Sequence, residues 1–317
     1  MQDSRMAVIG IGATGTVLAA ALLSRYPDTF LIDRSPELGE QLRLNGINVS
    51  GEITYKVAVK NYSSQIEDLK DFSPSAIFLA TKTFHLEQLL DRLQKVVEPG
   101  IKIVATQNGL GPEDLIADKF GRDSAFRMSL NLGVSLKRAG ETEVAFFNRP
   151  HHLGSLSAEN QSIGTQLAAI LTDCGLATEF VDDIKLFVWK KMIMKCTMAS
   201  ICAVTDRTIK DALEYPPTRE IADACFKEAL AVAKAMGYDI GEDYLKQVLG
   251  YLEKVGVHKD SMCVDIANQT PTEIDFLGAK IVEYARARGI STPVYVTMTN
   301  LVKAIENNYL EKQTFQF

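Results

Sequence analysis

The chain has 317 residues, of which 46% are hydrophobic and 23% are charged, and its formal net charge is −6 at pH 7. This length predicts two domains, and the composition is typical of a globular protein with enough apolar residues for sizeable cores. The negative charge argues against general affinity for nucleic acid or for an anionic membrane surface. An anionic ligand would therefore have to be bound by a few local lysines or arginines.

The sequence shows no segment typical of a signal peptide or a membrane span. Residues 1–5 lack the apolar core of a signal peptide, and no later stretch offers about 18 uninterrupted apolar residues. The five cysteines are scattered and include no CxxC pair, which favours reduced and mostly buried thiols. These features predict a cytoplasmic protein that has no membrane partner.

A glycine-rich turn follows the first apolar run of the chain, residues 6–9, and leads into a stretch of small residues that is predicted to be helical. Its GxGxxG pattern in a strand–turn–helix context indicates dinucleotide binding. The first glycine permits the tight turn, the second lets a pyrophosphate approach the backbone, and the third lets the helix lie close to the strand. The alternative is a glycine-rich turn that only serves packing. The residues predicted to bind the cofactor phosphates are Gly10, Gly12, Ala13, Thr14 and Gly15.

A second apolar run, residues 29–33, ends in Asp33, eighteen residues after the last glycine of the turn. A carboxylate at this place accepts a hydrogen bond from a free ribose 2′-hydroxyl and repels a 2′-phosphate. Arg34, the next residue, weakens this argument because a guanidinium suits the phosphate. The sequence therefore favours NAD as cofactor and leaves NADP open.

Strand-like and helix-like segments alternate through the N-terminal half, which predicts a parallel, doubly wound sheet. Lys82 and Asn108 each follow a predicted strand, so we expect them at the sheet edge where ligands bind, together with the glycine turn. The predicted elements are strands at 75–80 and 102–106, an amphipathic helix at 86–97, and added antiparallel strands at 126–135 and 143–147.

From about residue 183 the apolar pattern becomes helical. We therefore predict an α/β fold in which a Rossmann dinucleotide-binding domain (residues 1–183) precedes an all-helical substrate and dimerisation domain (residues 184–317). The substrate site is expected in the cleft between the two domains. The predicted helices are 187–203, 218–236, 241–255, 272–288 and 294–307.

Lys191, Lys195 and Ala199 are spaced four residues apart, so they share one face of the helix predicted at 187–203. Their neighbours are apolar, which indicates a mostly buried helix from which at least one lysine reaches a cleft. Such a lysine can hand a proton to a carbonyl oxygen as a hydride reaches the carbon. The alternative is that the lysines lie at the edge of the helix with their ammonium groups in water.

Ser261 and the segment Thr270-Pro-Thr-Glu273 form a second group of polar residues. The Pro-Thr-Glu order is typical of a helix start, which predicts that Glu273 lies in the first turn. By itself Glu273 would be a surface acid that the helix dipole favours. Opposite a cleft lysine, it becomes a candidate for holding that lysine or the substrate.

Together these motifs resemble the ketopantoate reductase family, over nearly the full length and in the same order. The resemblance implies a Rossmann domain, a helical domain and the NADPH-dependent reduction of a branched 2-oxo acid to the (R)-2-hydroxy acid. The motifs are GxGxxG at 10–15, Lys82, Gln-Asn-Gly-Leu-Gly at 107–111, Trp-x-Lys at 189–191, and Ser261 with Thr-Glu-Ile-Asp at 272–275.

The resemblance also implies roles for individual residues. Lys191 would be the general acid on the carbonyl, and Glu273 would bind the substrate and support that lysine. Ser261 would bind the substrate, and Asn108 would position both the nicotinamide and the substrate. Lys82 would lie near the cofactor.

Three positions depart from the family pattern. The family has asparagines four and eight residues after the catalytic lysine, where this chain has Lys195 and Ala199. Lys195 would offer a second cation to the substrate carboxylate, and Ala199 would leave room for an apolar branch. Asp33 stands where the family carries a basic residue for the 2′-phosphate. These departures point toward NAD-dependent dehydrogenases of bulky D-2-hydroxy acids related to the family, such as D-mandelate dehydrogenase.

The predicted function is hydride transfer between NAD(P)H and a bulky or branched 2-oxo acid. Genuine 2-dehydropantoate 2-reductase activity is the alternative within the same chemistry, and reduction of imines stays open. A dinucleotide-sensing module without turnover is disfavoured, because a sensor needs no proton donor. The partner is predicted to be a small 2-oxo or 2-hydroxy acid, without nucleic acid, and a homodimer is considered. No metal site is predicted, since the histidines at 151–152 have no carboxylate or cysteine at ligand spacing.

Overall fold

The computed structural model describes residues 5–314, in which the chain divides into two compact units. The first unit holds the residues up to Gln107 together with Pro112–Ile184, and the second holds Asn108–Gly111 and the residues from Lys185 onward. Residues 1–4, on which part of the cytoplasmic prediction depends, lie outside the described residues, as do residues 315–317. Among the helices of residues 5–314, none has the length and apolar character that crossing a membrane requires.

The strands belong to the first unit and form two sheets. In chain order they are β1 (Met6–Ile9), β2 (Phe30–Ile32), β3 (Ile47–Gly51), β4 (Tyr55–Val57), β5 (Asn61–Ser63), β6 (Ala76–Leu79), β7 (Lys102–Ala105), β8 (Ala125–Ser129), β9 (Leu132–Arg138), β10 (Glu141–Phe147), β11 (His151–Ser155) and β12 (Thr178–Phe180). Within residues 5–314 the main sheet has eight strands in the order β12-β11-β8-β7-β6-β1-β2-β5. In this spatial order, the six strands β8, β7, β6, β1, β2 and β5 are all parallel, and β11 is antiparallel to β8. The prediction of a Rossmann-type parallel sheet is therefore confirmed.

The helices of the first unit connect these strands. They are α1 (Ala13–Leu23), α2 (Pro36–Asn45), α3 (Leu69–Phe72), α4 (Leu86–Leu93), α5 (Pro112–Phe120) and α6 (Gln161–Asp173). Helix α1 is buried continuously from Gly15 to Leu23, because it packs on β1 and also against the smaller sheet, of order β4-β3-β10-β9. A helix that is apolar on all sides is an interior helix, and the small-residue composition of α1 already indicates this position.

The prediction of added antiparallel strands is partly wrong. The segment predicted as one strand at residues 126–135 is divided between β8 and β9. Strand β8 pairs parallel with β7 and extends the main sheet, whereas β9 and β10 pair antiparallel in the smaller sheet. All five residues of β8 are buried, as expected of a parallel strand covered on both faces, and apolar content alone does not reveal strand direction. The helix predicted at 86–97 is also shorter and ends at Leu93.

The second unit is helical, as predicted. Its helices are α7 (Ile184–Thr205, of which Ile184 belongs to the first unit), α8 (Ile209–Glu214), α9 (Pro216–Ala235), α10 (Glu242–Val255), α11 (Ser261–Ala267), α12 (Gly278–Ala287) and α13 (Pro293–Thr314). Helices α9, α12 and α13 pack on one another. Helix α7 is tied to α13 by a buried hydrogen bond between the hydroxyl groups of Thr197 and Tyr295, 2.6 Å apart.

The continuous helix predicted at 272–288 is wrong. The segment forms a 3₁₀ turn at Ile274–Phe276, and α12 begins only at Gly278. Leu277 lies between them with a non-helical backbone, φ −108° and ψ −107°. The carbonyl of Phe276 accepts a hydrogen bond from the Leu110 N–H at 2.9 Å, so a partner distant in sequence replaces the helical one. Local sequence patterns around residues 272–288 cannot predict a hydrogen bond from Leu110, because that residue lies far away in the chain.

Candidate active site

The three glycines of the turn between β1 and α1 have different surroundings. Gly10 has a φ of +92°, and a Cβ placed on it would stand 2.7 Å from the backbone nitrogen of Thr81. A Cβ on Gly15 would stand 1.8 Å from the carbonyl oxygen of Gly10, whereas a Cβ on Gly12 would meet nothing within 4 Å. Gly10 and Gly15 are therefore required by the fold itself, and Gly12 leaves exposed space that a ligand can occupy.

The first turn of α1 has the properties of an anion site. Gly12 is its N-cap residue and no side chain caps the helix, so the first N–H groups are not satisfied by a side chain. Ala13 and Thr14 at this end are half-exposed. Uncapped amides at the positive end of a helix dipole bind phosphate groups well.

Asp33 follows β2 and is held against the glycine turn. Its Oδ2 accepts a hydrogen bond from the Ile11 N–H at 2.8 Å, and its Oδ1 accepts one from the Ser35 N–H at 3.4 Å. Each carboxylate oxygen keeps a further lone pair, so the fixed carboxylate can still accept from a hydroxyl.

Arg34 and Lys82 belong to the same edge of the first unit. Lys82 is half-exposed and directly precedes a 3₁₀ turn at Thr83–His85. Burial, and then the nearby guanidinium of Arg34, lowers the pKa of His85 below its usual value. Arg34 thus lies close enough to the turn after Lys82 to act on it electrostatically.

The carboxyl ends of the neighbouring strands β6 and β7 carry buried polar atoms that point to a ligand. In residues 5–314, the hydroxyl of Thr81 and both amide atoms of the Gln107 side chain are buried and have no hydrogen-bond partner. Gln107 is only 6% exposed. A buried amide without partners is costly and rare, so a bound molecule is the expected partner. The residues of this edge therefore fit a dinucleotide, and sequence analysis missed Gln107 and Thr81 as contacts.

In the second unit, Lys191 on α7 contacts Asn108. The Lys191 Nζ donates a hydrogen bond to the Asn108 Oδ1 at 2.7 Å, across 83 positions of sequence. The loop that carries Asn108 is fixed on both sides, because the Gly109 N–H donates to the Met192 Sδ at 3.0 Å and the Leu110 N–H donates to Phe276. The predicted general acid and the predicted positioning amide are therefore in direct contact.

Trp189 explains why a tryptophan precedes the lysine by two residues. It is buried, and its ring packs on the rings of Tyr238 and Tyr284 with centroids 6.0 and 5.8 Å apart. This packing fixes the rotation of α7, and thereby the direction in which Lys191 leaves the helix.

Glu273 is half-buried and precedes the 3₁₀ turn, so its predicted place in the first turn of a helix is wrong. Gly109, with φ +123°, lies so close to Phe276 that a Cβ on the glycine would stand 2.8 Å from the Phe276 Cβ. The loop of Asn108 therefore packs on the turn that follows Glu273. This packing brings Glu273 into the neighbourhood of Asn108 and Lys191.

Lys195 is ion-paired with a residue that sequence analysis did not consider. Its Nζ lies 2.6 Å from the Asp260 Oδ2 and 2.9 Å from the Ser261 Oγ. The Lys195 and Asp260 side chains are only 16% and 5% exposed. Asp260 also caps α11, because its Oδ1 accepts from the Met262 N–H at 2.9 Å. The available signal was an aspartate in front of a short apolar helix, a typical N-cap.

Ser261 and Ala199 have opposite exposure. Ser261, the first residue of α11, is exposed and contacts Lys195. Ala199 is completely buried. The structure thus brings together Asn108 with Lys191 and Lys195 with Asp260 and Ser261, and leaves Ala199 in the core one turn beyond Lys195.

Comparison with known proteins identifies the family of the chain. Residues 6–158 match the family model described as ketopantoate reductase PanE/ApbA, and residues 183–306 match its C-terminal model. The chain belongs to the ketopantoate reductase family. The predicted resemblance is confirmed, and the chain is an oxidoreductase of this family.

Relatives match over almost the whole chain. A 2-dehydropantoate 2-reductase of Streptococcus pyogenes is 26% identical over 310 residues, which cover 94% of this chain and 97% of the relative. A crystal structure of 2-dehydropantoate 2-reductase from Geobacter metallireducens is similar with a TM-score of 0.88 at 23% identity, covering 95% of this chain and 99% of that one. A ternary structure of D-mandelate dehydrogenase with NADH and anilino(oxo)acetate is similar with a TM-score of 0.85 at 23% identity, covering 96% and 99%. These structures share the α/β fold with its C-terminal helical region.

Proposed function

We propose that this family member reduces bulky or branched 2-oxo acids to (R)-2-hydroxy acids with NAD(P)H, and that NADH is the preferred cofactor. The hydrogen bond between Lys191 and Asn108 carries the proposal. It holds the ammonium of a half-buried lysine in one direction, which is what a proton donor to a carbonyl oxygen requires.

The first unit is proposed to bind the dinucleotide. Gly12 and the first amides of α1 would hold the pyrophosphate, and Asp33 would accept from the ribose 2′-hydroxyl. The bound nicotinamide supplies the hydride. The further residues proposed to form this half of the site are Gly10, Ala13, Thr14, Gly15, Arg34, Lys82 and Gln107.

The second unit is proposed to bind the substrate and to form a homodimer interface. Lys191 would donate its proton to the carbonyl oxygen, and Glu273 would support that lysine and contact the substrate. Ser261 and Lys195 would donate hydrogen bonds to further polar atoms of the substrate, and Asn108 would orient its reacting group. Ala199 adds no polar group to this part of the chain. Light scattering of the purified protein measures the oligomeric state.

Ketopantoate itself is the second candidate substrate. The Streptococcus pyogenes relative, which this chain matches over nearly its full length, is named 2-dehydropantoate 2-reductase. In addition, Lys195 uses two Nζ–H groups on Asp260 and Ser261, and within the described part of the chain its third has no partner. That N–H offers a hydrogen bond to a substrate hydroxyl.

A panel assay separates these candidates. NADH and NADPH are each tested with ketopantoate, 2-oxoisovalerate and phenylglyoxylate, and the product is resolved by chiral chromatography. We expect 2-oxoisovalerate or phenylglyoxylate to give the higher kcat/KM, because Lys195 and Ala199 replace the two asparagines that hold polar groups of the substrate in the family. A clear preference for ketopantoate supports the second candidate. Binding of NADH without reduction of any of the three acids contradicts the proposed function.

A further inference from the structure

The charge of Lys195 is neutralised inside the second unit. Its ammonium is 2.6 Å from the Asp260 carboxylate, and both side chains are largely buried. The carboxylate cannot turn away easily, because its other oxygen accepts the Met262 N–H that begins α11. The pair is therefore a fixed unit with no net charge.

This pair lies next to the proposed proton donor. Lys195 follows Lys191 by four residues on α7, so the two side chains leave the same face of the helix with Cβ atoms roughly 5–6 Å apart. The exposed Ser261 hydroxyl, which accepts from Lys195, belongs to the same cluster. The cluster thus offers a hydroxyl and one N–H to a ligand without offering a net positive charge.

We propose that Asp260 is a specificity-determining residue, which neutralises Lys195 so that the site selects 2-oxo acids with an uncharged substituent and rejects those with a second carboxylate. The inference rests on the proposed function and names the substrate class of the same site. A second substrate carboxylate that contacts Lys195 would also lie beside the Asp260 carboxylate. The two negative charges would repel each other strongly. An uncharged branch or a hydroxyl meets no such repulsion.

The test compares 2-oxohexanoate, with one carboxylate, and 2-oxoglutarate, with two, in a series of variants that changes the local charge in steps. Wild type has a neutral pair, Asp260→Asn leaves one positive charge, Lys195→Gln leaves one negative charge, and the double variant is neutral again. Asparagine is as good an N-cap as aspartate, so Asp260→Asn can keep the start of α11. Asp223→Asn is the matched control, because it removes the same charge from a pair with Arg219 on α9.

The measured quantity is the ratio of kcat/KM for 2-oxoglutarate to that for 2-oxohexanoate. We expect Asp260→Asn to raise this ratio roughly 10- to 100-fold, the size of one charge-assisted hydrogen bond. Lys195→Gln should lower it below wild type, whereas the double variant and Asp223→Asn should resemble wild type. Fluorescence of Trp189, the single tryptophan of the chain, gives the dissociation constants of the corresponding 2-hydroxy acids independently of turnover.

Each outcome has a defined meaning. A wild type that prefers 2-oxoglutarate overturns the inference, as does an Asp260→Asn ratio equal to wild type in a folded protein. Equal gains for both acids in Asp260→Asn also overturn it, because Lys195 would then bind the carboxylate that all 2-oxo acids share. If Asp260→Asn does not fold, the inference is still tested by Lys195→Gln, for which the ratio of kcat/KM values should fall below that of wild type. A wild type that reduces neither these acids nor the earlier panel contradicts the proposed function instead.

Discussion

The two units present functional groups in different ways. The first unit exposes backbone groups at a glycine turn and at the uncapped start of α1. The second unit presents side-chain head groups from separate segments, as in the contacts of Lys191 with Asn108 and of Lys195 with Asp260. A backbone site depends on the absence of a Cβ, whereas a side-chain site depends on the identity of each head group. Substitution of single head groups in the second unit and addition of single methyl groups in the first test this difference.

Removal of the head group of Lys191 should have the largest effect. Loss of a general acid lowers the rate by roughly 10²–10⁴, so Lys191→Ala should reduce kcat by that factor, while its thermal unfolding temperature stays near that of wild type. Lys190→Ala is the control, because Lys190 lies on the same helix and contacts the rings of Phe187 and Tyr244 instead. Steady-state kinetics of both variants test the prediction. A Lys191→Ala enzyme that retains more than about a tenth of wild-type kcat would refute the assignment.

Adding one methyl group should separate the two kinds of glycine in the turn. Overpacking costs about 1–3 kcal/mol, so Gly12→Ala should raise the dissociation constant of NADH roughly 5- to 100-fold without a change in stability, because its Cβ meets only open space. Gly15→Ala should destabilise the protein, because its Cβ would stand 1.8 Å from the Gly10 carbonyl oxygen. NADH fluorescence titration and thermal unfolding measure the two effects. If Gly12→Ala binds NADH with unchanged affinity, the pyrophosphate does not bind at this turn.

Discrimination between NADH and NADPH depends on a side chain of the first unit, Asp33. A charge-assisted hydrogen bond contributes roughly 1.5–3 kcal/mol, so wild type should use NADH with a kcat/KM about tenfold or more above that of NADPH. Asp33→Ala should narrow this gap. Asp33→Asn keeps an oxygen that can accept the Ile11 N–H and removes only the charge, so it separates repulsion of the phosphate from damage to the turn. Equal or better use of NADPH by wild type would mean that Arg34 dominates.

The smallest effect on catalysis is expected at the ion pair of Lys195 and Asp260. Lys195→Met leaves the Asp260 carboxylate buried without its cation, which should lower the free energy of unfolding by about 3–5 kcal/mol. It should also raise KM for the preferred monocarboxylate more than it lowers kcat, because Lys195 contacts the substrate without being the proton donor. Urea unfolding and steady-state kinetics measure both effects. Adding Asp260→Asn to Lys195→Met should recover part of the lost stability. If nothing is recovered, the broken ion pair is not the cause of the loss.

Signals confined to one stretch of chain were sufficient to predict the parallel sheet, the glycine turn and the helical character of the second unit. The apolar run of β1, the glycines at fixed spacing and the small residues of α1 are contiguous, so their geometry follows from the chain itself. The four-residue spacing of Lys191 and Lys195 likewise fixes their common helix face. The family's Trp-x-Lys motif then distinguished Lys191 as the predicted general acid, whereas its hydrogen bond to Asn108 became known only from the structure.

Tertiary structure alone decided the contacts that join distant segments. Asp260 meets Lys195 across 65 positions. The Leu110 N–H binds the Phe276 carbonyl, next to the place where α12 begins later than the local pattern predicts. The same holds for Asn108–Gly111, which pack with the second unit although they follow a strand of the first. A sequence fixes local periodicity because neighbouring residues share one backbone geometry. Which head groups meet, and which charges cancel, depends instead on packing between elements far apart in the chain.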